Sequence, residues 1–344
     1  MAQGRGRRRH PAGLSGMTTP TRRRLLRLAP ALPALVLARP ALAAFPDRPI
    51  RIVVPFAAGG NGDLMARLAT PRMSDRLGQP VVVENRAGAG GSAGAELVAR
   101  SRPDGYNLLW GAGGPMVNSP LMTLSPRYDP LRDFAPIGLM SLMPMVLVVR
   151  AGLPAHSLAE LVALSRRGAG ISIGTSGVGG ANHVPLELFK AATGANLVHV
   201  PYRGGGAAAP DLVAGNVDGL LTELSTVLDL HRERQARILA ITSEHRAPLV
   251  PEAETFVEFG LRSFVFYTFS GLWAPAGTPE EVVGRLQAAL AAATNDPAVT
   301  ERLAAFGAEA ADGAQQTPAG TTAFLRNEIT RSRRAIELAG IKPE

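Results

Sequence analysis

Three glycine-rich stretches and a few histidines hold the residue types from which a site could be built. The first stretch, VVPFAAGGNGD over residues 53–63, carries a β-branched run into bare backbone that ends on an acid. Glycines ahead of a helix expose backbone N–H groups at the positive end of its dipole, a geometry that suits a small anion. The stretch lacks the Gly-Lys-Ser/Thr ending of a nucleotide-phosphate loop, so a triphosphate would find neither a lysine nor a magnesium-binding hydroxyl. A carboxylate needs less, since amides and water along Phe56, Ala57, Ala58, Gly59, Gly60 and Asn61 can hold it. Asp63 is expected to be the N-cap of the following helix, with a contact to a ligand hydroxyl or ammonium as the other reading.

The second stretch, Gly88-Ala89-Gly90-Gly91-Ser92-Ala93-Gly94, fits two enzyme patterns at once. It satisfies G-x-G-x-x-A, the dinucleotide fingerprint, but Asn85, Arg86 and Ala87 separate it from the preceding strand, and only the turn residue Asp104 follows as a candidate ribose acid. It also contains G-x-S-x-G, with Asp218 and His231 or His245 in the chain order of a serine hydrolase. A nucleophile elbow requires a strand running straight into the turn, whereas a loop intervenes here. Turn glycines, with Ser92 in the first turn of a helix, are the plainer reading.

The third stretch, ISIGTSGVGGANHVPLELF over residues 171–189, repeats the grammar of the first: strand, glycine loop, polar residue, helix. His183 stands at the start of that helix, where a binding role and a capping or packing role are both open. The six histidines show no i, i+4 or i, i+2 pairing that would put two imidazoles on one ion, so no metal is expected. Absence of cysteine removes thiol catalysis and thiolate metal sites.

The elements that must position these loops alternate along the chain. Short Val/Ile/Leu runs (50–56, 80–85 and 106–111) alternate with Ala/Leu-rich amphipathic segments, which predicts an α/β protein with mostly parallel strands. Pro71 is expected to bend or interrupt a helix over 63–77. Two longer extended segments, 145–154 and 269–279, read as paired crossovers between two lobes. Beyond them Thr278-Pro279-Glu280-Glu281 reads as a capping box, Asp296-Pro297 as a second helix start, and 318–338 as a helix with a basic outer face.

Charge is distributed unevenly. The net charge is +8 over 344 residues, but residues 1–43 contain nine arginines and no acid, which leaves 44–344 at −1. A nucleic-acid partner therefore loses its support. The front segment has the form of an export signal: TRRRLL precedes the apolar run LAPALPALVLA, and Ala41-Leu42-Ala43 offers a cleavage site, so residues 1–43 are expected to leave near Ala43. Thr21 to Leu26 also resemble a twin-arginine signal, Met17 is an alternative start, and an uncleaved basic anchor is the other reading.

Eight blocks in order, FPDRPIRIVVPFAAGGNGD, LGQPVVVENRAGAGGSAGAE, RPDGYNLLWG, YDPLRDFAPIG, GTSGVGGANH, VHVPYRGG, GNVD and LWAPAGTP, closely resemble the Bug family, the extracytoplasmic solute receptors of tripartite tricarboxylate transporters. The resemblance spans residues 45–344. It implies a type II-like, two-lobed periplasmic binding protein in which two doubly wound sheets are joined by two crossover strands. Lobe 1 would be 45–147 plus 272–344 and lobe 2 148–271, with hinges near 145–154 and 268–277. It further implies a monomer without cofactor or catalysis that closes on a small organic acid and delivers it to membrane permease subunits. Presentation of the bound form to a sensor kinase remains an alternative. The ligand-binding set carried over is Phe56 to Asn61, Thr175, Ser176, Gly179, Gly180, His183, Tyr202, Thr222 and Glu223. Three departures stand out: the family usually has proline at Ala58, serine at Gly180 and an Asp-Asn pair at Thr222-Glu223. Losing the serine hydroxyl weakens one grip on a carboxylate. A glutamate facing the cleft would repel a second carboxylate and attract an ammonium, which favours a monocarboxylate or amino-acid-like ligand.

Overall fold

In the computed structural model, residues 45–343 are described; the expected export signal and alternative start lie outside them. The elements in chain order are β1 (Ile50–Val54), α1 (Asn61–Leu77), β2 (Val81–Asn85), α2 (Ser92–Ala99), β3 (Asn107–Gly111), α3 (Ser119–Leu121), β4 (Phe134–Arg150), α4 (Leu158–Ser165), β5 (Ile171–Thr175) and α5 (His183–Thr193). They continue through β6 (Leu197–Pro201), α6 (Gly205–Ala214), β7 (Gly219–Glu223), α7 (Leu224–Arg232), β8 (Ala236–Ile241), β9 (Glu254–Thr255) and β10 (Tyr267–Pro275). The C-terminal segment holds α8 (Glu280–Thr294), α9 (Pro297–Ala305), β11 (Glu309–Ala310) and α10 (Pro318–Leu338).

The fold is mixed α/β with a curled sheet. Strand pairing runs without a break through β2-β1-β3-β10-β4-β7-β5-β6. β2, β1 and β3 are parallel to one another, as are β6, β5 and β7, while β10 and β4 run antiparallel to their neighbours. β4 joins the two parallel sets: its first part pairs with β10, and Met145 to Val149 pair with β7.

Strict alternation explains why helices cover both faces. Ile52, Val54, Leu108, Trp110 and Leu272 pack on one side of the sheet with Met65, Ala69 and Met73 of α1 and Leu286 and Leu290 of α8. Their neighbours Val53, Leu109 and Trp273 pack on the other side with Val98 of α2 and Leu325 of α10. In the second set, Met145, Leu147 and Ile173 face α4 and α5, whereas Val146, Val148 and Leu220 face α6 and α7. Strands buried on both faces must read as continuous apolar runs, and these do.

Two local expectations are corrected. Pro71 does not interrupt α1, which spans Asn61–Leu77 with the proline inside it. Proline removes the N–H that would bond the Arg67 carbonyl, and the Thr70 hydroxyl donates to that carbonyl instead at 3.4 Å. The capping box at the start of α8 does not form: the helix begins at Glu280, and the buried Thr278 hydroxyl donates to the Pro275 carbonyl at 2.7 Å. The end of β10 has the prior claim on that hydroxyl.

Candidate functional site

The first glycine loop leaves β1 and enters α1 at Gly60, and two side chains beneath it set its shape. Asp63 lies in the first helical turn rather than at the N-cap, which corrects the sequence expectation. Its buried carboxylate accepts hydrogen bonds from the Gly59 N–H at 3.1 Å, Arg67 Nε at 3.0 Å and Asn85 Nδ2 at 3.0 Å. Asn85 also donates to the Phe56 carbonyl at 3.1 Å, so the end of β2 holds both ends of the loop. Burial alone would raise the Asp63 pKa, but the hydrogen bonds from Arg67, Gly59 and Asn85 outweigh it and hold the carboxyl below its ordinary range. The folded pKa is therefore the lower one, so the stabilisation is present above the unfolded carboxylate pKa and is lost as pH falls through the folded value. Asp63→Ala should cost about 1–3 kcal/mol in urea unfolding at neutral pH, with the deficit shrinking in acid. A deficit that persists unchanged in acid would mean the carboxylate is not the source.

The second loop leaves β5 and is organised by Asn182, which the sequence reading did not single out. Fully buried, Asn182 accepts from the Ser176 N–H at 3.0 Å and the Ser176 hydroxyl at 2.7 Å through one oxygen, and donates to the Leu221 carbonyl at 2.7 Å. A Cβ on Gly180 would run into the Ser176 hydroxyl, so the space the expected serine would need is already taken by a neighbouring hydroxyl. Gly179 N–H donates to His183 Nδ1 at 3.3 Å, and Thr175 Oγ1 lies 2.6 Å from His199 Nε2. His183 and His199 stack with centroids 4.2 Å apart and planes 20° apart. Together with Glu187 they form a group that linear spacing could not reveal, because His199 comes from β6. Near-parallel rings do not aim their lone pairs at one point, and a metal needs that convergence. The pair is read as the support of the second loop. The burial of His199, with the nearby His183 and Lys190 charges, pushes its pKa down to about 4, so it is neutral at physiological pH.

The first loop is held across the gap by elements beyond the second: Ala57 N–H donates to the Arg203 carbonyl, between β6 and α6, at 3.0 Å, and the Ser225 hydroxyl of α7 donates to Asn61 Oδ1 at 3.2 Å. Between the two loops lies a cavity of about 20 Å³, lined by Phe56, Gly60 and Asn61 from the first loop, Ser176 and Ala181 from the second, and Gly205 and Glu223 from beyond them. That is room for about one water. Of the expected set, Phe56, Gly60, Asn61, Ser176 and Glu223 come together at this cavity. Ala57, Ala58 and Gly59 continue the loop beside it, and Thr175, Gly179, Gly180 and His183 shape or brace the second loop. Tyr202 packs on Gly174 and donates from its hydroxyl to Asp211 at 2.9 Å. Thr222 is buried beneath Gly205 and donates to Glu223 Oε2 at 3.1 Å. Gly205, Ala112 and Thr268 also line the cavity and carry no sequence signal stronger than a turn glycine or a strand end.

Glu223 ends β7 with only that threonine as a side-chain partner among the described residues. Burial raises its pKa against the smaller opposing pull of its hydrogen bonds. A neutral carboxyl can donate to a ligand oxygen; an ionised one can pair with an ammonium.

The Gly88–Gly94 stretch has a different task from either enzyme reading. Gly90, at φ +60°, faces the second loop so closely that a Cβ there would collide with the Val178 carbonyl and come within 2.7 Å of Ser119 Oγ. Ser119 Oγ bridges the Gly90 and Gly179 carbonyls at 3.2 and 3.1 Å, and Asn118 Nδ2 donates to the Gly180 carbonyl at 3.0 Å. The stretch is a seat for the second loop. Nor is a hydrolase triad assembled: the Ser92 hydroxyl is on the Ala89 carbonyl, Asp218 is on Arg150 and Ser172, and His231 is on Glu252.

Residues 65–341 match the family described as tripartite tricarboxylate transporter family receptor. The chain belongs to that family. This receptor is 35% identical over 300 residues to Protein BugT of Bordetella pertussis, covering 87% of this chain and 91% of BugT. Its fold superposes with a TM-score of 0.82 on MatC from Rhodopseudomonas palustris with bound malate, at 33% identity over 85% of this chain and all of that one. A second R. palustris protein, solved with adipate, gives a TM-score of 0.83 at 33% identity over 87% of this chain and all of that one. The receptor is thus a periplasmic binding protein by fold and family, and not an enzyme. Among its described residues no helix is long and apolar enough to cross a membrane.

Proposed function

We propose that this receptor captures a small organic carboxylate between the Phe56–Asn61 and Thr175–Gly180 loops and hands it to the permease subunits of a tripartite transporter. Segments 45–147 and 272–344 would close on 148–271 about the crossovers near 145–154 and 268–277, after export directed by residues 1–43 and cleavage near Ala43. The carrying observation is the meeting of two glycine loops over a cavity into which Asn61, Ser176 and Glu223 project. Relatives of the same fold hold malate and adipate, and a cavity this small requires the loops to part before such a guest enters. The receptor acts as a monomer in this reading, since one chain supplies both loops.

Glu223 supports a second reading of the ligand. A buried acid with no cationic partner among the described residues gains a full charge pair if the guest brings an ammonium. An amino-acid-like carboxylate would then bind with its acid on the glycine loops and its amine at Glu223. Calorimetry with malate, adipate, citrate and a set of amino acids decides between these. The carboxylate proposal expects saturable one-to-one binding of at least one acid, accompanied by a raised melting temperature. Citrate far ahead of every amino acid and monocarboxylate would rule out the ammonium reading. No binding by any acid would sink both.

A further inference from the structure

A cavity much roomier than the cleft lies elsewhere in the fold. A groove of about 650 Å³ lies between α5, the segment 260–266, the start of β10 and α10. Its size falls within the roughly 300–1,000 Å³ of small-molecule sites. Phe264, Phe266 and Phe269 line it with Val184 and Leu188, so much of the wall is aromatic or aliphatic. Three arginines, Arg262, Arg331 and Arg334, stand around it against one acid, Glu328. Arg331 is held in place by Glu328 at 2.8 Å and the Val265 carbonyl at 3.0 Å, which ties α10 to the 260–266 segment. Arg262 and Arg334 make no ion pair with any described residue. An apolar body with an excess of guanidinium at its edge matches a guest with the opposite polarity pattern: a flat hydrophobic part and one acidic head.

We propose that this groove is a second binding site, separate from the interloop cleft, for a single amphipathic organic anion such as an aromatic carboxylate or sulfonate. Its rings would lie against the phenylalanines and its head between Arg262 and Arg334. The groove and the cleft share Ala181 as a wall, and Asn118, which lines the groove, donates to the Gly180 carbonyl of the second loop. The two guests are nevertheless distinguishable, because the cleft has no arginine in its lining and the groove has no glycine-loop amides.

Fluorescence titration of the full chain with 8-anilinonaphthalene-1-sulfonate, alongside its uncharged analogue N-phenyl-1-naphthylamine, tests the site. One sulfonate should bind per chain, and at least about tenfold more tightly than the neutral analogue, as a complementary charged rim requires. Arg262→Glu with Arg334→Glu should erase that preference. Ala192→Trp, which places bulk in the groove from the exposed end of α5, should abolish binding of both probes. Circular dichroism and the urea midpoint check that each variant is folded. Equal affinity for the two probes in the natural chain would overturn the proposal, as would unchanged sulfonate binding in the folded double variant. Full binding in folded Ala192→Trp would overturn it too, by placing the probe elsewhere.

Discussion

Gly206→Val should leave the receptor folded and unable to hold its ligand. Gly206 lies in the first turn of α6, and a Cβ at that position would strike the Ala58 carbonyl and lie 2.6 Å from the Gly60 nitrogen, both in the opposing loop. Neither contact exists once the loops part, so the clash falls on the closed state alone. A ligand gripped from both sides needs that state, and its apparent affinity falls with the fraction of molecules able to adopt it. An affinity loss of about 100-fold or more is expected, equivalent to at least ~2.8 kcal/mol. In the open form the change should be close to neutral, since valine is no worse a helix former than the glycine it replaces. Isothermal calorimetry with an acid that binds the natural chain gives the first quantity and urea unfolding without ligand the second. Natural affinity in the variant would show that closure brings these backbones no nearer than they stand in the open form.

Glu223→Gln separates the two ligand readings through pH. Burial raises the folded pKa of Glu223 above its unfolded value. Its contribution to stability is therefore fully present below the unfolded pKa and lost as pH rises through the folded one, and the glutamine variant should lose less stability than the natural chain on that alkaline limb. For binding, a ligand that places a carboxylate near Glu223 favours the neutral acid. Affinity then falls as pH rises, and glutamine flattens the profile while changing neutral-pH affinity by only a few-fold, because its amide still donates. A ligand that places an ammonium there favours the ionised acid. Affinity then rises with pH, and glutamine weakens it by about 100-fold or more, the scale of breaking a buried charge pair. A flat profile in the natural chain would remove Glu223 from the site altogether.

Much of the frame was legible because its strands are buried on both faces. IRIVV and ISIGT read as buried strands and appear as β1 and β5, while VVVEN, legible from its β-branched run, appears as β2 at the sheet edge with Val82 half exposed. β4 was half legible. Its second part, Met145 to Arg150, is the apolar run the sequence shows, but Phe134 to Pro144 contains Pro136, Gly138, Ser141 and Pro144, which give no strand signal. Those residues form a strand because β10 pairs along their whole length, a partner more than 120 residues away. The site divides in the same manner. Phe56 to Asn61 could be singled out by glycine before a helix, a local signal. Asn182 could not, since its value lies in joining Ser176 to Leu221. The Gly88–Gly94 stretch matches two enzyme motifs for one reason: its glycines serve close approach, as the motifs' glycines do, but what approaches is another part of the same chain.

That seat has a consequence for how such a receptor can be changed. Where Gly90 meets Val178 and Gly179 the touching surfaces are peptide backbone, with Ser119 bridging two carbonyls. The groups that would choose a guest, Glu223 and Asn61, stand elsewhere. In the proposed closure, recognition and latching would fall in separate parts of the molecule, so cleft side chains could be exchanged for those suited to a new acid without redrawing the mechanical stop. A fluorescent reporter at exposed Val178, at the latch, would carry over from one such redesign to the next, turning a single calibrated scaffold into a family of biosensors.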